Sequence, residues 1–479
     1  MHLQLDGQGP LYDQIYRAIK ALIDGGALAR GDRIPGSRTL KRDLAVSRNS
    51  VLTALHMLEV EGYLETRPGA GTFVVLPETP APEAMAQNGA ASAAAAGATD
   101  YPQRVRAATR YRLSRWIGDD RAVRYDFRYG RVAFPPASWT SWAQTQSRCL
   151  RRRAWPLLGT AFAGERSLRE AIRAHLRLNR GIDCDAEQIL VTNGSQESIY
   201  LTMTALLCPG DRVLVEEPGY LPARAVAELT GAEVCGVPVD REGLCTGELR
   251  GRGARLAFVT PSHQFPTGAV LSAGRRQELL VWARSAGAMI YEDDYDSEFR
   301  YDVRPLPALK SLDEDGRVLH GGSFSKTMYP GLRLGFVVVP AALVATLREL
   351  KTCTTGAQPT FMQHAMAEFI HSGEYQRHLN RARKIYAERR ARLLSSLDAR
   401  LSGVAEWRGS QAGVHLYLTL RQGLDAATLA RAAAPAGVAV TVFPPAPGAD
   451  GSSFALGYGN IDAGDIDAGV AALAAAVPV

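Results

Sequence analysis

The chain has 479 residues, too many for one ordinary domain, so two or three are expected. Its hydrophobic content of 46% and charged content of 22% are ordinary for soluble globular protein, and no apolar run approaches membrane-spanning length. A net charge of +6 permits a polyanionic partner without demanding one.

The six cysteines (Cys149, Cys184, Cys208, Cys235, Cys245, Cys353) form no Cys-x-x-Cys pair and no ligand cluster. They read as reduced thiols of a cytoplasmic protein, and no metal site is expected. The first residues lack a charged-then-apolar leader pattern.

From Pro10 to Asp24 the apolar residues Leu11, Ile15, Ile19, Leu22 and Ile23 fall on one helical face, and Gly25-Gly26 ends the helix. A second helix starts after Ser37, an N-cap candidate, and carries Leu40 and Leu44. A tight turn at Ala45-Val46 leads to Ser47, which caps a third helix from Arg48 to about Glu61 with Val51, Leu55 and Leu58 inward. The following Gly62–Val75 stretch reads as a hairpin with a Gly/Pro-rich tip. Helix-turn-helix plus hairpin is a winged helix.

Pro10-Leu11-Tyr12, Gly31-Asp32-Arg33-Ile34-Pro35, Ser37-Arg38, Val46-Ser47-Arg48, Glu61-Gly62-Tyr63 and Gly69-x-Gly71-Thr72-Phe73-Val74 resemble the winged-helix DNA-binding domain of the GntR superfamily. Gly36 departs from that pattern, where a serine is usual. Position then assigns roles. Arg38, Arg48 and Arg67 can meet phosphates, Asn49 and Ser50 fall near base edges, and Ser37 and Ser47 join them as DNA-binding candidates. Gly69 and Gly71 let the wing backbone approach the minor groove. Residues 1–76 hold nine basic and eight acidic side chains, so one such unit binds DNA weakly and two acting together are expected.

Residues 78–123 shift to Pro/Ala-rich and then Arg-rich composition and read as a linker. About 45 residues of that kind have an r.m.s. reach of roughly 35–40 Å, close to one turn of duplex DNA.

From Arg124 onward short β-branched strands alternate with helices, as in an α/β domain with a mostly parallel sheet. Strands are expected at 189–192, 212–215, 256–260, 289–291 and 335–339, and a smaller α+β unit from Gln411. Polar groups follow the strands in order: Asn193-Gly194-Ser195-Gln196, Glu217-Pro218-Gly219-Tyr220, His263-Gln264-Phe265-Pro266, Asp293-Asp294-Tyr295 and Ser323-Phe324-Ser325-Lys326. Ligands of α/β sheets bind at such carboxyl ends. A lysine between hydroxyl residues, with Arg333 seven positions on, suits pyridoxal phosphate: the amine can form an imine with the cofactor aldehyde, and Ser323, Ser325 and Arg333 can hold the phosphate.

This order resembles fold type I pyridoxal-phosphate enzymes, the aspartate aminotransferase fold, over residues 124–479. The resemblance implies that Lys326 bonds the cofactor and that Asp293 pairs with its pyridine nitrogen. It gives the phenolic oxygen to Tyr295, ring stacking to Tyr220, and the phosphate to Gly194, Ser195, Gln196, Ser323, Ser325 and Arg333. Two departures stand out. Phe265 precedes Pro266 where aminotransferases have asparagine, so that contact is lost or passes to Gln264. The stretch Ser452–Gly459 lacks the arginine that usually holds a substrate carboxylate.

Both halves together resemble the MocR/GabR family of transcriptional regulators. The resemblance implies a homodimer that binds an operator in double-stranded DNA and senses an amine, an amino acid or the cofactor itself. A working aminotransferase with an appended DNA-binding domain is the competing reading, which steady-state turnover separates. A third is a DNA-binding protein whose sensor domain is empty, which cofactor absorbance separates.

Overall fold

The computed structural model describes residues 3, 5–67, 70–75, 105, 111, 123–152, 161–301, 306–421, 423–443 and 452–477. Contacts divide the chain into two units, Met1–Asp100 and Tyr101–Val479. Gly69 and nearly all of the expected linker lie outside the described residues.

The first unit holds helix α1 (Leu11–Asp24), strand β1 (Arg33–Ile34), helices α2 (Ser37–Leu44) and α3 (Arg48–Val60), and strands β2 (Leu64–Arg67) and β3 (Gly71–Val74). The three strands form an antiparallel sheet in the order β1-β3-β2, which is the wing. Its core is its own: Ile15, Ile19 and Ile23 of α1 meet Leu40, Val51, Leu55, Leu58, Leu64 and Val74. Leu11, expected inward, is 45% exposed because α1 turns Gln14 into the interior instead, where its amide donates to Gly9 O at 2.8 Å. The second helix also begins one residue earlier than expected. Gly36 is its N-cap, taking the amides of Thr39 and Leu40 on its carbonyl, and Ser37 is already helical. Ser47 caps α3 as expected, accepting from Ser50 N at 3.1 Å.

The second unit opens with strand β4 (Tyr125–Asp126) and helices α4 (Pro136–Arg152) and α5 (Arg166–Arg180). There follow β5 (Ile189–Thr192), α6 (Ser195–Leu206), β6 (Arg212–Glu217), α7 (Leu221–Leu229), β7 (Glu233–Asp240), β8 (Gly243–Leu244), β9 (Leu256–Val259), α8 (Ala273–Ala286), β10 (Met289–Asp294), β11 (Val318–Ser323) and β12 (Gly335–Val338). The eight-stranded sheet runs β5-β12-β11-β10-β9-β6-β7-β8. Strands β7, β6, β9, β10 and β11 pair in parallel, whereas β12 is antiparallel to both its neighbours. Most of the central strands are buried along their length, which is why they read as apolar runs.

Helices α9 (Val344–Thr354), α10 (Thr360–His371) and the long α11 (Glu374–Arg400) lead to a smaller sheet. It comprises β13 (Ala405–Arg408), β14 (His415–Leu420), β16 (Thr441–Val442) and β17 (Ser453–Gly457) in the order β13-β14-β17-β16. Helices α12 (Ala426–Ala433) and α13 (Ile466–Ala475) pack with it, and β15 (Val438–Ala439) pairs in parallel with β4. The smaller unit therefore starts earlier than Gln411, at β13, and draws in the segment around Tyr125.

Candidate cofactor site

The carboxyl ends of β5, β6, β10 and β11 converge on a cavity of about 200 Å³. It is lined by Ser195 and Gln196 at the start of α6, Tyr220 before α7, Asp293 near the end of β10, Tyr295 just beyond it, Ser323 at the end of β11, and Ser325, Lys326 and Arg333 after it. Nine of the expected cofactor residues thus share one cavity. Tyr129, Phe265 and Pro330 complete the lining and were not anticipated.

Lys326 lines the cavity with its Nζ 4.5 Å from the Tyr129 ring centroid. Burial holds its amine down to about 8, against the opposing pull of Asp296 and Asp293. A lysine so depressed has more of the neutral, nucleophilic form at neutral pH. The backbone presses close here: a Cβ on Gly130 would sit 3.3 Å from that Nζ.

Asp293 is its acidic counterpart. Burial, then the charges of Asp294, Asp296 and Glu216, push its carboxyl up to about 8, with Lys326 opposing. Its Oδ1 is buried and has no hydrogen-bond partner among the described residues. Each flanking acid is committed elsewhere. Glu292 accepts from the Leu309 and Lys310 amides and His320, and Asp294 faces Arg180 at 2.7 Å. Asp296 faces His263 at 3.0 Å. Asp293 forms no ion pair among the described residues and faces the cavity it shares with Lys326, an environment that a protonated pyridine nitrogen satisfies.

The residues expected to hold a phosphate are equally placed. Helix α6 opens with Gly194 as N-cap at φ 80, leaving unpaired amides and the positive end of the helix dipole. Gly194 itself is not on the lining; its positive φ favours glycine, and a Cβ there would stand in ordinary contact with the Arg333 guanidinium at 3.4 Å. Arg333 is held in the left-handed region, φ 52, uncommon outside glycine, and donates to Asn193 O at 2.8 Å. Ser325 N bonds Ser323 Oγ at 3.1 Å, tightening the turn that carries Lys326. A buried amine, a partnerless carboxylate and an anion cradle in one cavity fit pyridoxal phosphate.

Gln264 does not join them. Its amide nitrogen donates to Glu216 Oε2, Pro218 O and Phe265 O at 3.1, 2.9 and 2.6 Å, and its oxygen accepts from Thr267 N and Oγ1. It holds the loop, and the expected ring contact does not pass to it; Phe265 turns its ring to the cavity instead. His263 acts through Tyr295. Its Nδ1 lies 3.0 Å from both the Tyr295 hydroxyl and Asp296 Oδ2. A single N–H there serves the carboxylate, leaving the tyrosine hydroxyl free to donate into the cavity. His415 is near, with Nε2 on Pro266 O at 2.9 Å, and burial holds its imidazole down to about 3.

In the other unit, Arg38, Ser47, Arg48, Asn49 and Arg67 are exposed, and Ser37, Ser50 and Gly71 are half-buried. Arg38 and Arg48 form no ion pair among the described residues, whereas Arg67 bonds Glu65 at 2.9 Å and must exchange it to reach a phosphate. Gly71 sits at φ 119 under the Arg33 guanidinium, where any Cβ would meet that side chain at 2.7 Å.

Asparagine at Asp293 gives a divided result. The folded acid's value lies above its unfolded one, so wild-type cofactor-free protein loses the acid's contribution to stability as pH rises from about 4 to about 8. The amide has no charge to force into the interior. The variant's Tm without cofactor will therefore exceed wild type by a margin that grows as pH rises through that window, while cofactor retention falls. Equal cofactor affinity in the two proteins counts against the pairing.

Comparisons with known proteins give the family and the fold. Residues 11–74 match the family model for bacterial regulatory proteins of the gntR family, and residues 141–470 that for aminotransferase class I and II. The chain is 34% identical to the probable rhizopine catabolism regulatory protein MocR of Rhizobium meliloti, over 99% of this chain and 95% of that one. Among solved structures it is similar to Pyrococcus horikoshii kynurenine aminotransferase in complex with PMP (TM-score 0.69, 26% identity, 77% of this chain and 93% of that one). The α-aminoadipate aminotransferase LysN of Thermus thermophilus, complexed with N-(5'-phosphopyridoxyl)-L-leucine, gives a TM-score of 0.68 at 27% identity over 78% of this chain and 95% of that one. The larger unit has the fold type I aminotransferase architecture, and the chain belongs to the MocR-type family of GntR helix-turn-helix transcriptional regulators.

Proposed function

We propose that this protein carries pyridoxal 5'-phosphate at Lys326 and alters its hold on an operator when an amine, an amino acid or the cofactor itself engages that site. The observation that carries the reading is the cavity: a depressed lysine, a partnerless buried carboxylate and an anion cradle meet there, in a chain that also bears a GntR winged helix. When bound, the cofactor supplies an electrophilic carbonyl carbon and an electron-withdrawing ring, a reversible trap for primary amines. Lys326 Nζ is the nucleophile toward that carbon. Asp293 holds the charge of the ring nitrogen, Tyr295 donates to the phenolic oxygen under the control of His263, and Arg333 with Ser195, Ser323 and Ser325 holds the phosphate. No helix among the described residues is long and apolar enough to cross a membrane, which suits cytoplasmic work on DNA.

Strand β17, whose stretch usually carries the carboxylate-binding arginine, reads Ser453–Gly457 and is buried throughout. Lys326 and Arg333 are the cations among the described residues that line the cavity. A site so furnished favours capture over the repeated turnover of amino acids, which is why we read a sensor rather than an enzyme. An effector moves DNA affinity only by its differential affinity for the two states. Titrating operator DNA against cofactor-free and cofactor-loaded protein, with and without a panel of primary amines, will show a shift of about fivefold or more for at least one addition. Rapid steady-state transamination with unchanged DNA affinity would return the protein to the enzyme class.

A further inference from the structure

Helix α3 buries Val51, Ala54, Leu55 and Leu58. Its other face presents Arg48, Asn49, Leu52, Thr53 and His56, all exposed. Leu52 is 44% exposed, one turn beyond Asn49 on the same face. The side chains around it on that face (Arg48, Asn49, Thr53 and His56) are all polar. The other large apolar side chain exposed on α3 is Val60, two turns further on with His56 between, so the helix has no apolar patch of the size a protein partner needs.

Asn49 forms no side-chain hydrogen bond among the described residues. Ser47 and Ser50, expected beside it at the DNA, instead spend their hydroxyls on each other at 2.8 Å and on the helix cap at 3.1 Å. The entry of the recognition helix thus offers one free carboxamide followed by one lone apolar group. In the major groove a carboxamide pairs with the N6 and N7 edge of adenine, and the one apolar feature of that groove is the 5-methyl of thymine.

We propose that Asn49 and Leu52 together read two neighbouring A·T pairs in each half-site, Asn49 by the adenine edge and Leu52 by a thymine methyl. The inference rests on the reading of this unit as DNA-binding. Three residues advance about 4.5 Å along a helix, against about 3.4 Å between stacked base pairs, so the contacts fall on adjacent pairs. Arginines at the rim set the register on phosphates; these two side chains set sequence preference.

The test begins by selecting duplexes from a randomised library with the full-length protein. The recovered half-site will contain two adjacent A·T pairs, and selection with Asn49→Ala will relax one of them. Deoxyuridine is then placed at each thymine of the half-site in turn, which removes the methyl and leaves every hydrogen bond. At one position wild-type affinity will fall about fourfold, the value of one buried methyl-sized group, and Leu52→Ala will show no further loss there. If deoxyuridine costs wild type nothing at any position, or costs Leu52→Ala as much as wild type, the proposal fails although the protein binds DNA. Recovery of no duplex by the full chain overturns the DNA-binding reading itself.

Discussion

Replacing Lys326 with alanine will abolish covalent retention of the cofactor. After borohydride treatment and denaturation, wild-type protein will keep one reduced cofactor per chain by mass, and the variant none. The reasoning is local: among the described residues Lys326 is the only amine on the cavity lining, and burial lowers it to about 8. The serine and arginine cradle survives the substitution, so the variant will still bind the cofactor loosely, without the visible band of the lysine-bound form. The fold will not suffer. A lysine whose folded value lies below its unfolded one penalises the folded state fully below about pH 8 and regains stability as pH rises toward its ordinary value near 10.5. Alanine removes that penalty at neutral pH and leaves a cavity, two effects of opposite sign, so the cofactor-free Tm will stay near wild type. Lys326→Arg, which keeps the bulk and cannot attack a carbonyl, must behave as alanine does. A variant that emerges from reduction with the cofactor attached would sink the assignment.

What the sequence disclosed follows from how the fold is buried. Strands β5, β6, β9, β10 and β12 are covered on both faces and stand out as apolar runs, so the polar residues after them could be read in order. Strand β11 escaped, although it delivers Lys326, because its end is Gly321-Gly322. A side chain on Gly321 would overlap the Tyr291 hydroxyl, and one on Gly322 the Phe336 ring. The packing that forces glycine there also erases the β-branched signature of a strand. Tyr129 was hidden for another reason. It is set in place by β4, whose partner β15 lies some three hundred residues away, and no local pattern reports that pairing.

Polar commitments were the other blind spot. Gln264 and Asp293 follow strands in the same way, yet one amide is consumed by Glu216, Pro218, Phe265 and Thr267 while the other group keeps an empty oxygen. A motif shows that a donor or acceptor is present; which partners have already claimed it depends on the loop's closure. The same holds at the recognition helix, where Ser47 and Ser50 satisfy each other and Asn49 does not.

The isolated winged-helix unit, residues 1–77, will bind the operator about 10²- to 10⁴-fold more weakly than the full chain. Its core is self-contained, so loss of folding will not be the cause. The cause is charge and valency. Nine basic side chains are nearly cancelled by eight acidic ones, and Arg17, Lys20, Arg42 and Arg67 are paired with carboxylates within the unit. Few phosphates can then be neutralised by one copy, and each lost phosphate contact lowers affinity and its salt dependence together. Two copies held by one dimer gain an effective concentration that multiplies affinity by this range without a new contact. Dimerisation is expected through the larger unit. Helix α4 leaves Trp139 and Leu150 more than half exposed, and Trp139 packs against Tyr329, the neighbour of the cavity residue Pro330. Footprinting of the full chain should then protect two half-sites on one face of the duplex, and Trp139→Glu should reduce both the sedimentation coefficient and the DNA affinity. A fragment that binds as tightly as the whole protein, or a full chain that sediments as a monomer with its cofactor in place, means that a single winged helix finds its operator alone, and the source of affinity must then be sought in the base contacts of α3 rather than in a second copy.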